Sequence, residues 1–345
     1  MSEASPTTSS TSPPSPSEGD QSDASGSLRG FVWGPDGVVA EVNDLDVLQR
    51  AHNDPETRIW IDVEGASEAT LSAIAKCLGL HPLTAEDIIE RNQRAKIEYT
   101  AGTMHLVLFA LLYEGEVISA ELDIVLGTDF LLTSHPPEWR PVDAPNIARN
   151  GVAHYLGIGV DHVLWAVVDA AVDGYFPVFD KLGDEIDDLQ DQVLSRPNRW
   201  LVERLFQLRR DLLQIRHAVS PEREVFNQLT NRENPLIHRD RIIYFRDVYD
   251  HLIRLTDELD SYREMVSTTL EAYLSSVNNS LSEVMKRLTA VTAVLAGAGA
   301  LAGIFGMSEA GLALSFEDLR FWFVTGIIGI LSFLGFVYFR RIGYV

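Results

Sequence analysis

Two uncharged stretches near the C-terminus constrain this chain more tightly than any other feature. Leu288 to Met307 is a run of twenty residues without a charge, rich in Ala, Gly and Leu, and Phe321 to Phe339 is a second. About twenty apolar residues in a helix cross a bilayer, where a helix satisfies its own backbone hydrogen bonds. The residues between them, 308–320, are too few to form a domain, so the pair reads as a tight membrane hairpin. Lys286 and Arg287 precede the first run, and Arg340 and Arg341 follow the second. The loop carries Glu309, Glu317 and Asp318 against Arg320 alone. Positive side chains stay on the cytoplasmic side. Both termini are therefore expected in the cytoplasm, with 308–320 as the external loop and 340–345 as a basic cytoplasmic end.

The first span has no start of its own. From about Arg239, apolar residues recur at 245, 248, 252, 255, 259, 262, 266, 270, 273, 277, 281, 284 and 288, in steps of three and four, with no Pro or Gly before Gly297. Such a repeat makes one continuous stripe on one helix face, suited to packing against copies of itself or its neighbours. Residues 239–287 thus read as a stalk that runs into the membrane helix 288–307. At 1.5 Å per residue this rod is roughly 100 Å long, much more than a bilayer requires.

Ahead of the stalk the pattern is mixed. Residues 1–28 are mostly Ser, Thr and Pro and read as a disordered tail rather than a signal peptide. Short β-rich runs follow at 31–33, 58–63, 106–113, 122–126 and 130–133, with helical stretches at 68–78 and 82–91, so 29–159 reads as a cytoplasmic α/β domain. Residues 160–238 read as an acidic helical hairpin. Its first helix is expected to run unbroken from Asp161 to Ser195 and to stop at Pro197. The second is expected to start at Asn198 and end before Pro221. The first helix carries Asp161, Asp169, Asp173, Asp180, Asp184, Glu185, Asp187, Asp188 and Asp191 against Lys181 alone. Two readings stand side by side: a solvated amphipathic face, or a cluster that concentrates hydrated cations near a pore mouth.

Composition excludes several classes. With 50 acidic against 28 basic residues and a net charge of -22, a nucleic-acid partner is not expected. The single cysteine, Cys77, rules out a disulfide framework. No HExxH, P-loop or GxSxG pattern is present and the nine histidines are scattered, so neither an enzyme nor an organic cofactor is expected. Two spans per chain cannot enclose a polar path, because every lipid-facing residue must be apolar. A transporter built this way must be an oligomer. Gly297, Gly299, Gly303 and Gly306, with Gly299 and Gly303 in GxxxG spacing, allow close helix approach in the first span. They serve equally to line a pore or to pack the hairpin. The second span, with Trp322, Phe323, Phe333, Phe336 and Tyr338, suits lipid contact.

Several segments resemble the CorA-type divalent metal ion transporters: Tyr244 to His251, Tyr273 to Val277, Glu283 to Lys286 with Leu288 and Thr289, and Ala302 to Met307. His81-Pro-Leu-Thr-Ala-Glu-Asp87 and Lys96-Ile-Glu98 do so as well. The resemblance covers about 30–345. It implies an α+β cytoplasmic domain followed by long stalk helices and two transmembrane α-helices, assembled as a funnel-shaped homopentamer in the plasma (bacterial inner) membrane. It also implies passage of Mg2+, and often Co2+ or Ni2+, down the electrochemical gradient. By motif it puts a regulatory Mg2+ site between subunits on Asp87 and Asp247. The competing reading of Asp247, three residues after Tyr244 and adjacent to Arg246, is an ion-paired stalk residue. Pore-lining positions transfer to Ser282, Met285, Leu288, Thr292, Ala296, Gly299 and Ser308, with Met285 and Leu288 as a hydrophobic constriction that gates by dewetting. The family's basic ring falls on Arg340 and Arg341, which are also ordinary positive-inside anchors.

Two departures bear on selectivity. The family's outer-mouth signature is Gly-Met-Asn, whereas this chain has Gly306-Met307-Ser308, and a pore Asn on the cytoplasmic side is replaced by Ser282. A serine ring offers hydroxyls to the hydration shell where the amide carbonyls stood. The alternatives are a Zn2+ transporter resembling the ZntB branch, which also alters the tripeptide, and a non-conducting paralogue.

Overall fold

The computed structural model describes residues 26–91, 93–195, 198–308 and 319–343, which divide into two compact units. The first unit, built from residues up to 110 with 120–173 and 221–249, centres on a seven-stranded sheet. Its strands are β1 (Ser27–Trp33), β2 (Val39–Val42), β3 (Arg58–Glu64), β4 (Lys96–Thr100), β5 (Thr103–Tyr113), β6 (Val117–Leu126) and β7 (Phe130–His135), in the order β2-β1-β3-β7-β6-β5-β4. β3 and β7 pair parallel; β1–β2, β1–β3, β4–β5 and β6–β7 pair antiparallel. Ser27 and Leu28, at the end of the expected tail, open β1 and pair with Glu64 and Val63.

The centre of the sheet is covered on both faces, which is why β3 and β7 are buried on both sides rather than on alternate residues, with Asp62, Thr133, Ser134 and His135 buried among the apolar side chains. Ile59 to Val63 and all of β7 are buried. On one face lie α1 (Leu45–His52), α2 (Glu68–Cys77) and α3 (Pro82–Glu90), which place Leu48, Leu71, Ile74, Leu78 and Ile88 against Ile59, Ile61, Val63 and Leu132. α5 (Val152–Ile158) and α6 (Val160–Asp173) also pack on β3, and α6 reaches β7. α4 (Pro145–Asn150) leads into them.

The expected single helix from Asp161 to Ser195 is two: α6 ends at Asp173 and α7 (Tyr175–Ser195) begins after Gly174. Glycine costs about 1 kcal/mol in a helix interior. Pro177 has no N–H to offer the Asp173 carbonyl and its ring would crowd it, whereas in the first turn of a new helix neither defect matters. Pro221 does the opposite of what its position suggests. α8 (Arg199–Asn231) continues through it, because Val225, Phe226 and Leu229 on the following turns are buried and hold the helix together despite one missing hydrogen bond.

In the second unit α7 buries Tyr175, Val178, Phe179, Leu182, Ile186, Leu189 and Val193 along one stripe and leaves Asp180, Asp184, Asp187, Asp188 and Asp191 exposed. Glu185 turns the other way, accepting from the Arg204 guanidinium and, at 2.7 Å, from the Tyr113 hydroxyl. Burial and that carboxylate push the Tyr113 phenol up to about 12. α9 (Ile242–Ser308) is one unbroken 67-residue helix and α10 spans Leu319–Arg341. α9 is long enough and, along its last turns, apolar enough to cross a membrane.

Candidate functional site

The apolar stripe of α9 changes environment along its length. Phe245, Val248, Leu252, Leu255 and Leu259 are at most 1% exposed, whereas Val277, Leu281, Val284 and Leu288 are 40 to 60% exposed. The same periodicity therefore serves two partners: this chain's own core first, and then nothing that a single chain supplies.

α10 covers one side of the later turns of α9. Ala290 is 1% exposed, and Val294, Gly297, Ala298 and Leu301 line a narrow groove with Leu331, Ser332, Gly335 and Phe339. At 100° per residue, Leu288, Thr292 and Gly299 point roughly 160–200° away from Ala290. Ser282, Met285, Leu288, Thr292, Ala296 and Gly299 are all exposed, so the expected pore stripe lies on the face that α10 leaves free. The glycines divide between these faces. Gly297 lines the groove toward α10 and Gly299 stands about 200° round the helix from it; a Cβ on Gly297, Gly299 or Gly303 would meet nothing within 4 Å. The Thr292 hydroxyl donates to the Leu288 carbonyl at 2.8 Å and Thr289 to that of Met285 at 2.7 Å, leaving oxygen lone pairs free to accept from water. Gly306, Met307 and Ser308 close α9 as helical backbone, and Arg340 and Arg341 are exposed at the end of α10. Glu309, Glu317 and Asp318 lie outside the described residues.

The two expected sensing carboxylates differ. α3 begins where His81 caps it, its Nδ1 accepting the Leu83 N–H at 3.2 Å, with Pro82 in the first turn, and this start sets Asp87 near the helix end. Asp87 is already engaged: Lys96 Nζ lies 2.6 Å from Oδ2, and Gln93 donates to Oδ1 at 3.3 Å. Asp247, by contrast, is exposed on the second turn of α9. Among the described residues it has no hydrogen bond or ion pair, Arg246 included.

Sequence reasoning missed the groups around Asp87. Lys96 also pairs with Glu98 at 3.3 Å, and Glu98 stands directly opposite His105 across β4–β5. His105 is 1% exposed, and its Nε2 meets Asp123 Oδ1 at 3.0 Å. Burial alone would lower the Lys96 ammonium, but the hydrogen bonds and charges of Asp87 and Glu98 outweigh it and hold it above the usual lysine value. Burial, and then the Asp123 charge, push the nearby Glu121 carboxyl up to about 7. The usable signal was a histidine within the apolar run of β5, just past the turn that follows Lys96 and Glu98.

The family model described as CorA-like Mg2+ transporter protein matches residues 55–341. The chain is 33% identical over 303 residues to the cobalt/magnesium transport protein CorA of Thermotoga maritima, covering 84% of each chain. It is 27% identical over 173 residues to the zinc transport protein ZntB of Cronobacter sakazakii, covering 48% of this chain. The fold is that of the complete CorA magnesium transporter structure from Methanocaldococcus jannaschii, with a TM-score of 0.78 at 21% identity, over 92% of this chain and 98% of that one.

Proposed function

The chain belongs to the CorA-like Mg2+ transporter family, and from that premise we propose that it carries Mg2+, and with it Co2+ or Ni2+, through a pore formed by a ring of five copies in the plasma membrane, with both termini cytoplasmic. It is a transporter, not an enzyme: the work is ion permeation, with no covalent bond made or broken.

The observation that carries this reading is the free face of α9. Its exposed stripe from Ser282 to Gly299 points away from α10. Val277, Leu281, Val284, Val291 and Leu295 are exposed on and beside the same face. So broad an apolar face has room for both a lumen and a seam with the next copy. The hydrophobic effect favours closing that seam in the cytoplasmic stretch, and close packing closes it in the bilayer. Met285 and Leu288 then form the apolar constriction, which blocks ions by excluding water when narrow. Ser308 forms the outer ring, and its hydroxyls meet a hydrated cation. Mg2+ gives up its water reluctantly, so a ring that binds the water shell suits it.

Regulation follows from Asp247 and Asp87. A free, exposed Asp247 carboxylate fits a largely hydrated Mg2+ held between copies, with Asp87 of the adjacent copy as the second ligand once Lys96 yields. Internal Mg2+ then holds the ring closed, and its loss opens it.

The test is dye-monitored Mg2+ entry into liposomes for the wild type and for Ser308→Asn. Wild-type flux that rises when internal Mg2+ is removed, and that Asp247→Asn renders insensitive to it, is the expected result. Near-zero rates in both wild type and Ser308→Asn overturn transport. The Gly306-Met307-Ser308 departure favours one competitor, a Zn2+ carrier; normal Zn2+ flux with no Mg2+ permeation or inhibition establishes it instead.

A further inference from the structure

We propose that Asp87, Glu98 and His105 of a single chain form a transition-metal site, specific for Co2+, Ni2+ or Zn2+ over Mg2+, in which the metal replaces the ammonium of Lys96. It shares Asp87 with the sensing reading above but uses neither Asp247 nor a second copy.

One ligand atom from each of the three residues lies within 4.8 Å of the others, a spacing that one cation can bridge. Acidic side chains at such distances are common, and by themselves they would carry nothing. The histidine is what distinguishes this group. His105 is 1% exposed and its Nε2 is committed to Asp123 at 3.0 Å, while Nδ1 is buried without a hydrogen-bond partner among the described residues. A buried nitrogen with no partner costs free energy. The bond to Asp123 assigns the ring proton to Nε2 and leaves the Nδ1 lone pair free. A carboxylate behind a histidine is the arrangement that orients imidazole ligands and raises their basicity.

The donor set states the preference. One imidazole with two carboxylates suits Zn2+, Co2+ and Ni2+, whereas Mg2+ takes oxygen ligands and keeps its waters. The place is held meanwhile by Lys96, which bridges Asp87 at 2.6 Å and Glu98 at 3.3 Å. Lys96 and Asp87 each keep 23% of their side-chain surface exposed and Glu98 keeps 51%, so the ammonium can swing to water and a metal can enter.

The test uses the full chain, stripped of metal in detergent and titrated with CoCl2 under a large excess of MgCl2, reading the visible absorption of bound Co2+ and its stoichiometry. The wild type is expected to hold one Co2+ per chain that Mg2+ does not displace. Glu98→Gln, at a half-exposed side chain that leaves the fold intact, weakens it tenfold or more. His105→Gln, which still donates to Asp123, changes the spectrum and lowers affinity. Lys96→Met removes the competing ammonium and tightens binding tenfold or more, while Asp247→Asn changes nothing. Binding that Mg2+ abolishes, that Glu98→Gln and Lys96→Met leave unaltered, or that Asp247→Asn removes, overturns the site. Flux into liposomes scores the transport reading separately. Transport without Mg2+-resistant cobalt sinks this site alone; retained cobalt without transport sinks the other.

Discussion

Leu281 offers a sharp perturbation of the proposed ring. It is 59% exposed on α9 where the helix faces neither α10 nor the core of its own unit, and Val277 and Val284 flank it at 40% and 60%. Full burial of a leucine side chain stabilises by about 1.5–3 kcal/mol. Covering the remaining fraction against a neighbouring copy therefore contributes roughly 1–2 kcal/mol per chain, most of which Leu281→Ala removes. A chain leaving a ring opens two seams and so loses about twice that, on the order of a thirtyfold or greater rise in the dissociation constant. Leu281→Asp adds the cost of burying a carboxylate and brings like charges together at every seam. Mass photometry of detergent-solubilised protein over a dilution series reads the result directly. The wild type is expected to remain a single oligomer, Leu281→Ala to dissociate at higher concentration, and Leu281→Asp to be monomeric. Val38→Asp, at a residue 61% exposed after β1, serves as the control and leaves the oligomer intact. A monomeric wild type refutes the reasoning, as does a Leu281→Asp variant that dissociates no earlier than the control.

Three further outcomes follow from the same contacts. Asp161 is 2% exposed and held by the Arg241 guanidinium and by His238 Nδ1 at 3.0 Å, so Arg241→Gln leaves a buried carboxylate short of its strong partner. A loss of about 3 kcal/mol is expected; a thermal melt unchanged from wild type refutes it. Glu121 has its folded value raised from 4.5 to about 7, so the unfolded chain releases the proton first as pH rises. The group's penalty therefore grows from about pH 4.5 to about 7 and stays constant above. Glu121→Gln should match wild type at the acid end and be more stable above neutrality by about 1–2 kcal/mol once solvent screening of this partly buried carboxyl is allowed for, and a melting-temperature difference that is flat with pH excludes this. A Cβ on Gly183 would stand 2.6 Å from the Tyr262 hydroxyl oxygen and 3.1 Å from its ring. Gly183→Ala must push that ring from its contact with Phe179, at a cost of about 1–3 kcal/mol; denaturant midpoints equal to wild type contradict it.

What could be read in the sequence and what could not separate along physical lines. The long helix was legible because charge exclusion and a near-3.5 repeat are local properties of the chain, as were the interior strands, whose apolar runs are contiguous. β4 was not, since Lys96 to Thr100 is polar and exists as a strand only by pairing with β5 at the sheet's edge. The Lys96–Asp87 and His105–Asp123 contacts depend on that pairing and on the β5–β6 hairpin, so no spacing along the chain announces them. Prolines 177 and 221 are chemically identical interruptions with buried residues on the turns after each, and Gly174 is what differs: beside it one helix restarts, while without a nearby glycine the other carries on.

The acidic stretch across α6 and α7 makes the same point about charge. Its nine carboxylates add up to one number in the sequence, yet the buried Asp161 is consumed by Arg241 and the partly buried Glu185 by Arg204. Asp180, Asp184, Asp187, Asp188 and Asp191 are exposed on one face of α7. Screening at physiological salt has a length of about 8 Å, so these five act only on ions that come close to that face. Neutralising them together should therefore change cation conductance at low ionic strength and leave it almost unaltered at high salt. Neutralising Asp161 or Glu185 should change stability at any salt, because their charges are already answered inside the fold.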